Sequence, residues 1–399
     1  MNPKLRAWWW TRQGLDGSLE GKSPREALLR AGWSRSVGGA SPYIAIFSRA
    51  GATRAVADKA AADAEIHELP TARGYTYVLP RDDYAVGLSA ARGFSDDAEV
   101  TLAKRFLGVT EEEVETLCEA VVHAVRVTPL DPKDIKSAVG DKARTLGEEG
   151  KKRGMGSTLP LALGRLQVSG RIRRIPADGR LDRQRYKYIV WDPSPLEGYV
   201  RTKEESLADL AKLYWRWVGP ASVSHFQKFA GLGVKAAKDV VTPLDFVPTE
   251  EGSELLLPPT ELEAFKGFEP PAEPRYTLVA SLDGSLLHRW DVVSLLDEVD
   301  KGRETATDKG AVPIASLSDL YSNGILDRGR LVGLWEYDPF EKSIVSVSFV
   351  KRSPALKAAI EKTEAFVRDQ LGDCRTFSLD SPESRKPKLA ILRGMAAKE

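Results

Sequence analysis

Between Lys151 and Lys187 the chain sets eleven basic side chains against two acids, Asp178 and Asp182. The bases are Lys151, Lys152, Arg153, Arg165, Arg171, Arg173, Arg174, Arg180, Arg183, Arg185 and Lys187. The segment carries +9 in a chain whose formal net charge is +1, so the remainder is acidic. The chemistry such a cluster offers is phosphate contact, because each cation that neutralises a nucleic-acid phosphate releases a counterion. Thr158, at the start of an apolar run, is a further candidate for such a contact. Leu159, Leu163, Leu166, Ile172, Ile175, Tyr186, Tyr188 and Trp191 interleave with the bases. A solvated arm needs no such apolar partners, so the expectation is a folded basic surface.

Other site chemistries are excluded by residue type. The two cysteines, Cys118 and Cys374, lie far apart, and His67, His123, His225 and His288 occur singly. Neither a disulfide framework nor a metal-ligand spacing results, so no metal and no cofactor is expected. The stretch Gly32 to Ala40 is glycine-rich and reads as a flexible turn, but it lacks the spacing and the Lys-Ser/Thr end of a phosphate-binding loop.

The elements that must carry the basic surface follow from start and stop signals. Thr110 with Glu113 reads as a capping box for a helix to about Val125. Asp131, Pro132 and Asp134 open a short helix that Gly140 ends. After a basic loop, Ser157 and Thr158 precede a helix closed by Gly170. Arg171 to Ile175 reads as a strand, Asp178-Gly179 as a tight hairpin turn, and Arg183 to Trp191 as the return strand. Three helices and a two-stranded wing, in that order, make a winged helix-turn-helix whose third helix enters the major groove. A winged helix used only for protein contacts is the competing reading.

The order recurs downstream. Ser206 with Asp209 predicts a helix to Val218, Ser222 one to Phe229, and a third spans Val234 to Val241, before strand candidates at 244–247 and 254–257 around an acidic turn. Upstream, Ser23-Pro24 and Ser41-Pro42 start helices, Trp8, Trp9 and Trp10 face core, and Gly74 to Leu79 is strand-like. From about Arg275 strands dominate, at 276–280, 330–337 and 343–350, followed by a helix from Ser353 to about Leu371. The basic stretch Ser384 to Lys388 reads as a solvated end. The expected fold class is mainly α with β wings (α+β): tandem winged helix-turn-helix domains followed by a small C-terminal β-sheet or barrel. The expected division is 1–105, 106–200, 201–270 and 271–399.

Ala72 to Pro80, Tyr214 to Ala221, Phe226 to Gly231, Leu278 to Leu287 and Arg330 to Trp335 together resemble the winged-helix DNA-binding family that includes the AlkZ and YcaQ DNA glycosylases. The resemblance implies a concave DNA-binding channel and hydrolysis of the N-glycosidic bond of alkylated purines without a metal. It also implies a Gln-x-Gln or Gln-x-Asp motif just before a helix like Ser41 to Arg49. This chain has Arg35, Ser36, Val37, Gly38 and Gly39 there, and Tyr77 where the family tends to have histidine. The turn Arg35 to Gly39 would border a flipped base. Hydrolysis through a cationic sugar needs a carboxylate or an oriented amide; the groups that offer themselves are His67 and Glu68, followed by Arg73, with Asp82 and Asp83 beyond the strand, and of these Glu68 and Asp82 are the candidates. Glu68 with Arg73 also reads as a structural ion pair.

The resulting expectation is a monomeric protein of double-stranded DNA that recognises or repairs alkylated bases, with glycosylase activity open. The alternatives are a non-catalytic DNA-binding regulator, which would select a sequence, and a protein-interaction scaffold. No run of about 18 apolar residues and no secretory leader is read, so a cytoplasmic, nucleoid-associated protein is expected.

Overall fold

The start signals become caps. Asp131 accepts hydrogen bonds from the Lys133 and Asp134 backbone N–H groups and opens the helix Pro132–Val139. Thr110 caps Glu111–Ala124 through the Glu113 N–H, but the Glu113 carboxylate leaves the expected box and pairs with Arg144. These helices, with Leu159–Val168 and the antiparallel strands Ile172–Pro176 and Tyr186–Val190, enclose a local core. Val114, Leu117, Val121, Ile135, Leu163, Leu166, Ile172 and Tyr188 are buried in it. The fold is a computed structural model and describes residues 2–94, 98–307 and 309–398.

Two expectations for this segment are corrected. The basic loop contains a short helix, Gly147–Lys152. The strands are joined not by a tight turn at Asp178-Gly179 but by the longer connection 177–185, within which that dipeptide makes a local bend with the Gly179 N–H on Pro176 O. The reason is tertiary. Leu181 is 2% exposed and packs with Tyr43, Ile44 and Leu371, and its N–H donates to the Tyr43 hydroxyl at 2.9 Å. Leu181→Ala is therefore expected to cost about 2–5 kcal/mol in denaturant unfolding, whereas truncating a free loop tip would cost nothing.

The first hundred residues build helices Pro3–Arg12, Pro24–Ala31, Ser41–Ala50 and Arg54–Ala62 around a three-stranded antiparallel sheet. Its order is Ser34–Arg35, Thr76–Pro80, Ile66–Pro70. Ser34 and Glu68 lie opposite Val78, while Arg35 and Leu69 lie opposite Tyr77. Successive side chains on a strand point to opposite faces. Ile66 and Val78 therefore enter one core, shared with Leu278, Trp335 and Leu356, and Leu69, Tyr77 and Leu79 enter another, shared with Tyr214, Trp217 and Phe229. The stretches 1–105, 201–270 and 271–399 thus interlock through common cores.

The second helical trio starts earlier than expected. A box between Thr202 and Glu205 opens Lys203–Val218, ahead of Ser206. Val223–Ala230 and Val234–Val241 follow, then the short strand pair Val247–Pro248 and Leu256–Leu257. Toward the C-terminus, Ser343–Ser348, Arg330–Asp338, Asn323–Asp327 and Tyr276–Val279 form a four-stranded antiparallel sheet in that order, and Glu304–Thr307 pairs separately with Gly310–Pro313. The whole is a mixed α+β architecture of several small sheets. The solvated end expected at Ser384 to Lys388 is instead part of a helix, Pro382–Ala396, capped by Ser381. Leu389 and Leu392 bury one face of it, and Arg385 and Arg393 pair with Asp373 and Asp338.

Candidate functional site

Glu68 lies on the edge strand Ile66–Pro70 and is 4% exposed. One carboxylate oxygen accepts the Ser36 hydroxyl, and the other lies 3.1 Å from Arg174 Nη2 without making a hydrogen bond. The Arg174 guanidinium stacks 4.3 Å from the Tyr186 ring, whose own hydroxyl is buried and unpartnered. Arg174 belongs to the basic hairpin, so the hairpin clamps the N-terminal sheet through this ion pair. The partner expected for Glu68 was Arg73, and the structure replaces it with Arg174.

Arg73 serves a different array. The Arg35 guanidinium lies 4.0 Å from the Tyr75 ring and 5.5 Å from Tyr77, while Arg73 lies 5.1 Å from both Tyr75 and Trp290. Arg73 and Trp290 both hold left-handed backbone, at φ 60 and φ 53, a conformation that costs non-glycine residues energy and persists where surroundings impose it. Gly231 is part of that imposition: a Cβ there would fall 2.5 Å from Arg73 Cγ. Arg35 and Arg73 donate instead to the Thr76 and Lys228 carbonyls, and burial lowers the Arg35 pKa. Among the described residues neither has a carboxylate ion pair.

The turn Arg35 to Gly39, expected to be flexible, is covered from Val37 onward by residues 375–378. The Ala40 N–H donates to Arg375 O at 2.9 Å, and the Ser378 N–H donates to Val37 O at 3.0 Å. A Cβ on Gly39 would lie 2.1 Å from Thr376 O, and one on Gly38 2.6 Å from Gln184 Cγ. A backbone oxygen cannot rotate away as a side chain can. Gly39→Ala is therefore expected to lower the unfolding free energy by about 1–3 kcal/mol and to raise protease sensitivity near Thr376.

A family model described as DNA glycosylase AlkZ-like matches residues 35–368. The chain belongs to this AlkZ-like DNA glycosylase family. Its fold is also that of the Streptomyces sahachiroi DNA glycosylase AlkZ, with a TM-score of 0.69 at 19% identity over 94% of this chain and 98% of that one. No curated protein matches. Membership gives this AlkZ-like chain a function in DNA-damage recognition and repair.

In this AlkZ-like chain the basic segment is far less bare than its composition implies. Lys151 pairs with Glu148, Arg153 with Glu149, Arg165 with Glu111, Arg171 with Glu119, Arg174 with Glu68, Arg180 with Asp182 and Arg183 with Asp178. Five of these seven carboxylates lie outside 151–187, so a count over the segment misses them. Lys152, Arg173, Arg185 and Lys187 have no carboxylate ion pair among the described residues. Thr158 is fully buried, and its hydroxyl is not presented to a duplex.

The two carboxylates named from the sequence are not brought together. Asp82 is exposed, with both oxygens 2.7 Å from the Arg25 guanidinium, which holds its carboxyl below the usual range. Its neighbour Asp83 is 3% exposed and accepts the Trp33 indole N–H at 2.9 Å. Burial pushes the Asp83 carboxyl up to about 6, against the opposing pull of Trp33 and Arg216. A raised carboxyl stabilises the fold below its unfolded pKa and loses that contribution as pH rises through the folded value. Asp83→Asn is therefore expected to gain stability relative to the parent as pH rises from about 4 to 6, read as Tm difference against pH. Among the described residues no cluster of His, Cys, Asp and Glu could hold a metal, and no helix is long and apolar enough to cross a membrane.

Proposed function

We propose that this chain binds duplex DNA as a monomer through tandem winged helices and probes damaged bases at the ledge formed by Arg35, Tyr75, Arg73 and Trp290. The observation that carries the reading is that pair of arginines, free of carboxylates and stacked on one tyrosine, beside the buried Glu68. Aromatic and guanidinium planes suit stacking with an unpaired base, and their charge suits phosphate. The helix orders 111–124, 132–139, 159–168 and 203–218, 223–230, 234–241, each followed by a strand pair, support two winged helices. Lys152, Arg185 and Lys187 extend the cationic surface. The units 1–105, 106–200, 201–270 and 271–399 remain our division of the chain.

Of the two carboxylates, Glu68 is the one we assign to N-glycosidic hydrolysis. A carboxylate oriented by Ser36 and Arg174 can stabilise a cationic sugar, while Asp82 is held by Arg25. Glu68 is 4% exposed, so little water reaches it. That closure favours a second reading, recognition without hydrolysis. The test is duplex binding over a salt series, with alkylated and undamaged DNA, and base release counted against heat-inactivated protein. The Arg35→Glu, Arg73→Glu double variant is expected to flatten the slope of log K against log salt by about 2, at roughly 0.9 per phosphate contact, and to abolish preference for damage. An unchanged slope would remove the ledge from the interface. Release above background that Glu68→Gln abolishes supports hydrolysis, and no release with intact damage preference supports the second reading.

A further inference from the structure

On the opposite face of the strand that carries Glu68, the structure holds a cavity of about 590 Å³. It lies between the N-terminal sheet and the base of the hairpin, lined by Arg81, Asp82, Tyr84, Arg173, Trp191 and Ser194 among others. Its size is that of pockets that take small organic ligands. We propose that this cavity binds a nucleotide unit, with the heteroaromatic ring on Trp191 and the phosphate on Arg173.

Arg173 is the distinguishing residue. The paired arginines of the basic segment are tied to carboxylates, whereas Arg173 has no such ion pair among the described residues and its Nη1 is buried with no hydrogen-bond partner. A guanidinium partly taken out of water without an anion is costly, and a phosphate offers the bidentate match that guanidinium recognises best. Burial already lowers the Arg173 pKa. Arg81 adds a second cation at the wall, anchored 3.0 Å from Glu65. Trp191 is oriented in advance, held edge-on by His67 and Tyr84 with ring centroids 5.2 and 5.4 Å away. His67 is itself buried and held neutral, its pKa pushed down to about 3 by burial and by Arg173 and Arg174. It therefore adds no competing charge behind the indole. Asp82, held by Arg25, and Asp192 supply acceptors at the rim for base amino groups, and the Ser194 hydroxyl supplies a donor. A bare anion would leave Trp191 and these acceptors unused, and a bare ring would leave Arg173 unpaired.

The nucleotide is either free or part of a DNA strand, and the test separates the two. The full chain is titrated calorimetrically with deoxyadenosine monophosphate, deoxyadenosine and inorganic phosphate. The monophosphate is expected to bind and the other two to bind about tenfold more weakly or worse, as the loss of a charge-assisted contact dictates. Arg173→Gln is expected to weaken the monophosphate about tenfold or more, and Trp191→Phe to weaken it less, with Tm measured on both to show that the fold persists. Competition between the monophosphate and a single-stranded oligonucleotide assigns the site to a strand; simultaneous binding assigns it to a free nucleotide. The Arg35→Glu, Arg73→Glu variant is expected to retain monophosphate binding even as duplex affinity falls, so failure of the ledge reading leaves this one standing. No calorimetric binding of the monophosphate, or equal binding by Arg173→Gln, overturns the proposal.

Discussion

Glu68→Ala is expected to destabilise the protein by about 3–5 kcal/mol, because it strands the Arg174 charge inside the interface between the basic hairpin and the N-terminal sheet. Arg174 is 18% exposed at its side chain and Glu68 4%, so little water is available to solvate what remains. Removing both partners is a different matter. Glu68→Met with Arg174→Met is expected to be close to neutral, since a well-packed apolar pair avoids the desolvation that the ion pair incurs. Denaturant unfolding of both singles and the double closes the cycle. A double variant as unstable as the single would show that Glu68 contributes through something other than Arg174. The consequence for function is direct: lost base release in Glu68→Ala cannot separate chemistry from folding, whereas Glu68→Gln keeps the shape and the Ser36 hydrogen bond and, because it too removes the charge opposite Arg174, is read together with its Tm. That is the substitution on which a hydrolytic role should be judged.

The second large effect lies at the joint between the N-terminal helices and the C-terminal sheet. Arg49 donates from Nη1 and Nη2 to the two oxygens of Asp283 at 2.7 and 2.8 Å, with side chains 2% and 0% exposed. Arg49 also donates to Gln13 O at 2.8 Å, and Asp283 accepts the Ser285 N–H and hydroxyl. Asp283→Ala is expected to cost about 3–5 kcal/mol, measured as a fall in Tm and in urea midpoint. Burial acts to raise the Asp283 carboxyl, and Arg49 with Ser285 outweighs it, holding the carboxyl below its ordinary range. A depressed carboxyl contributes stability above its unfolded pKa and loses it as pH falls through the folded value. Asp283→Asn is thus expected to lose stability at neutral pH and to show a shallower acid limb than the parent. A parallel acid limb in the two proteins would move the acid sensitivity elsewhere.

Much of this molecule was legible residue by residue, and the reason is the range of the forces involved. A cap acts over three residues and a strand alternates every second one, so Thr110, Asp131, Ser23 and Ser222 marked helix starts that the fold keeps. The basic hairpin was found because its bases interleave with apolar residues that needed a core, and Ile172 and Tyr188 enter one. The motifs that carried the family resemblance sit within elements of this fold, at Thr76–Pro80, Lys203–Val218 and Arg330–Asp338.

The tertiary structure decided what those residues touch. Glu68 could have met Arg73, five residues on, but the strand direction turns it to Ser36 and Arg174. The +9 segment looked bare because its carboxylates come from Glu111, Glu119, Glu148, Glu149 and Glu68, positions that only folding brings alongside. Gly38 and Gly39 gave no sign that they seat Gln184 and the backbone of Thr376. Asp82 and Asp83 are adjacent in the sequence, yet one is exposed and paired while the other is buried with its carboxyl pushed up to about 6. Charge, burial and pairing depend on distance in space, which no local pattern of residues encodes, whereas caps and alternation depend on distance along the chain.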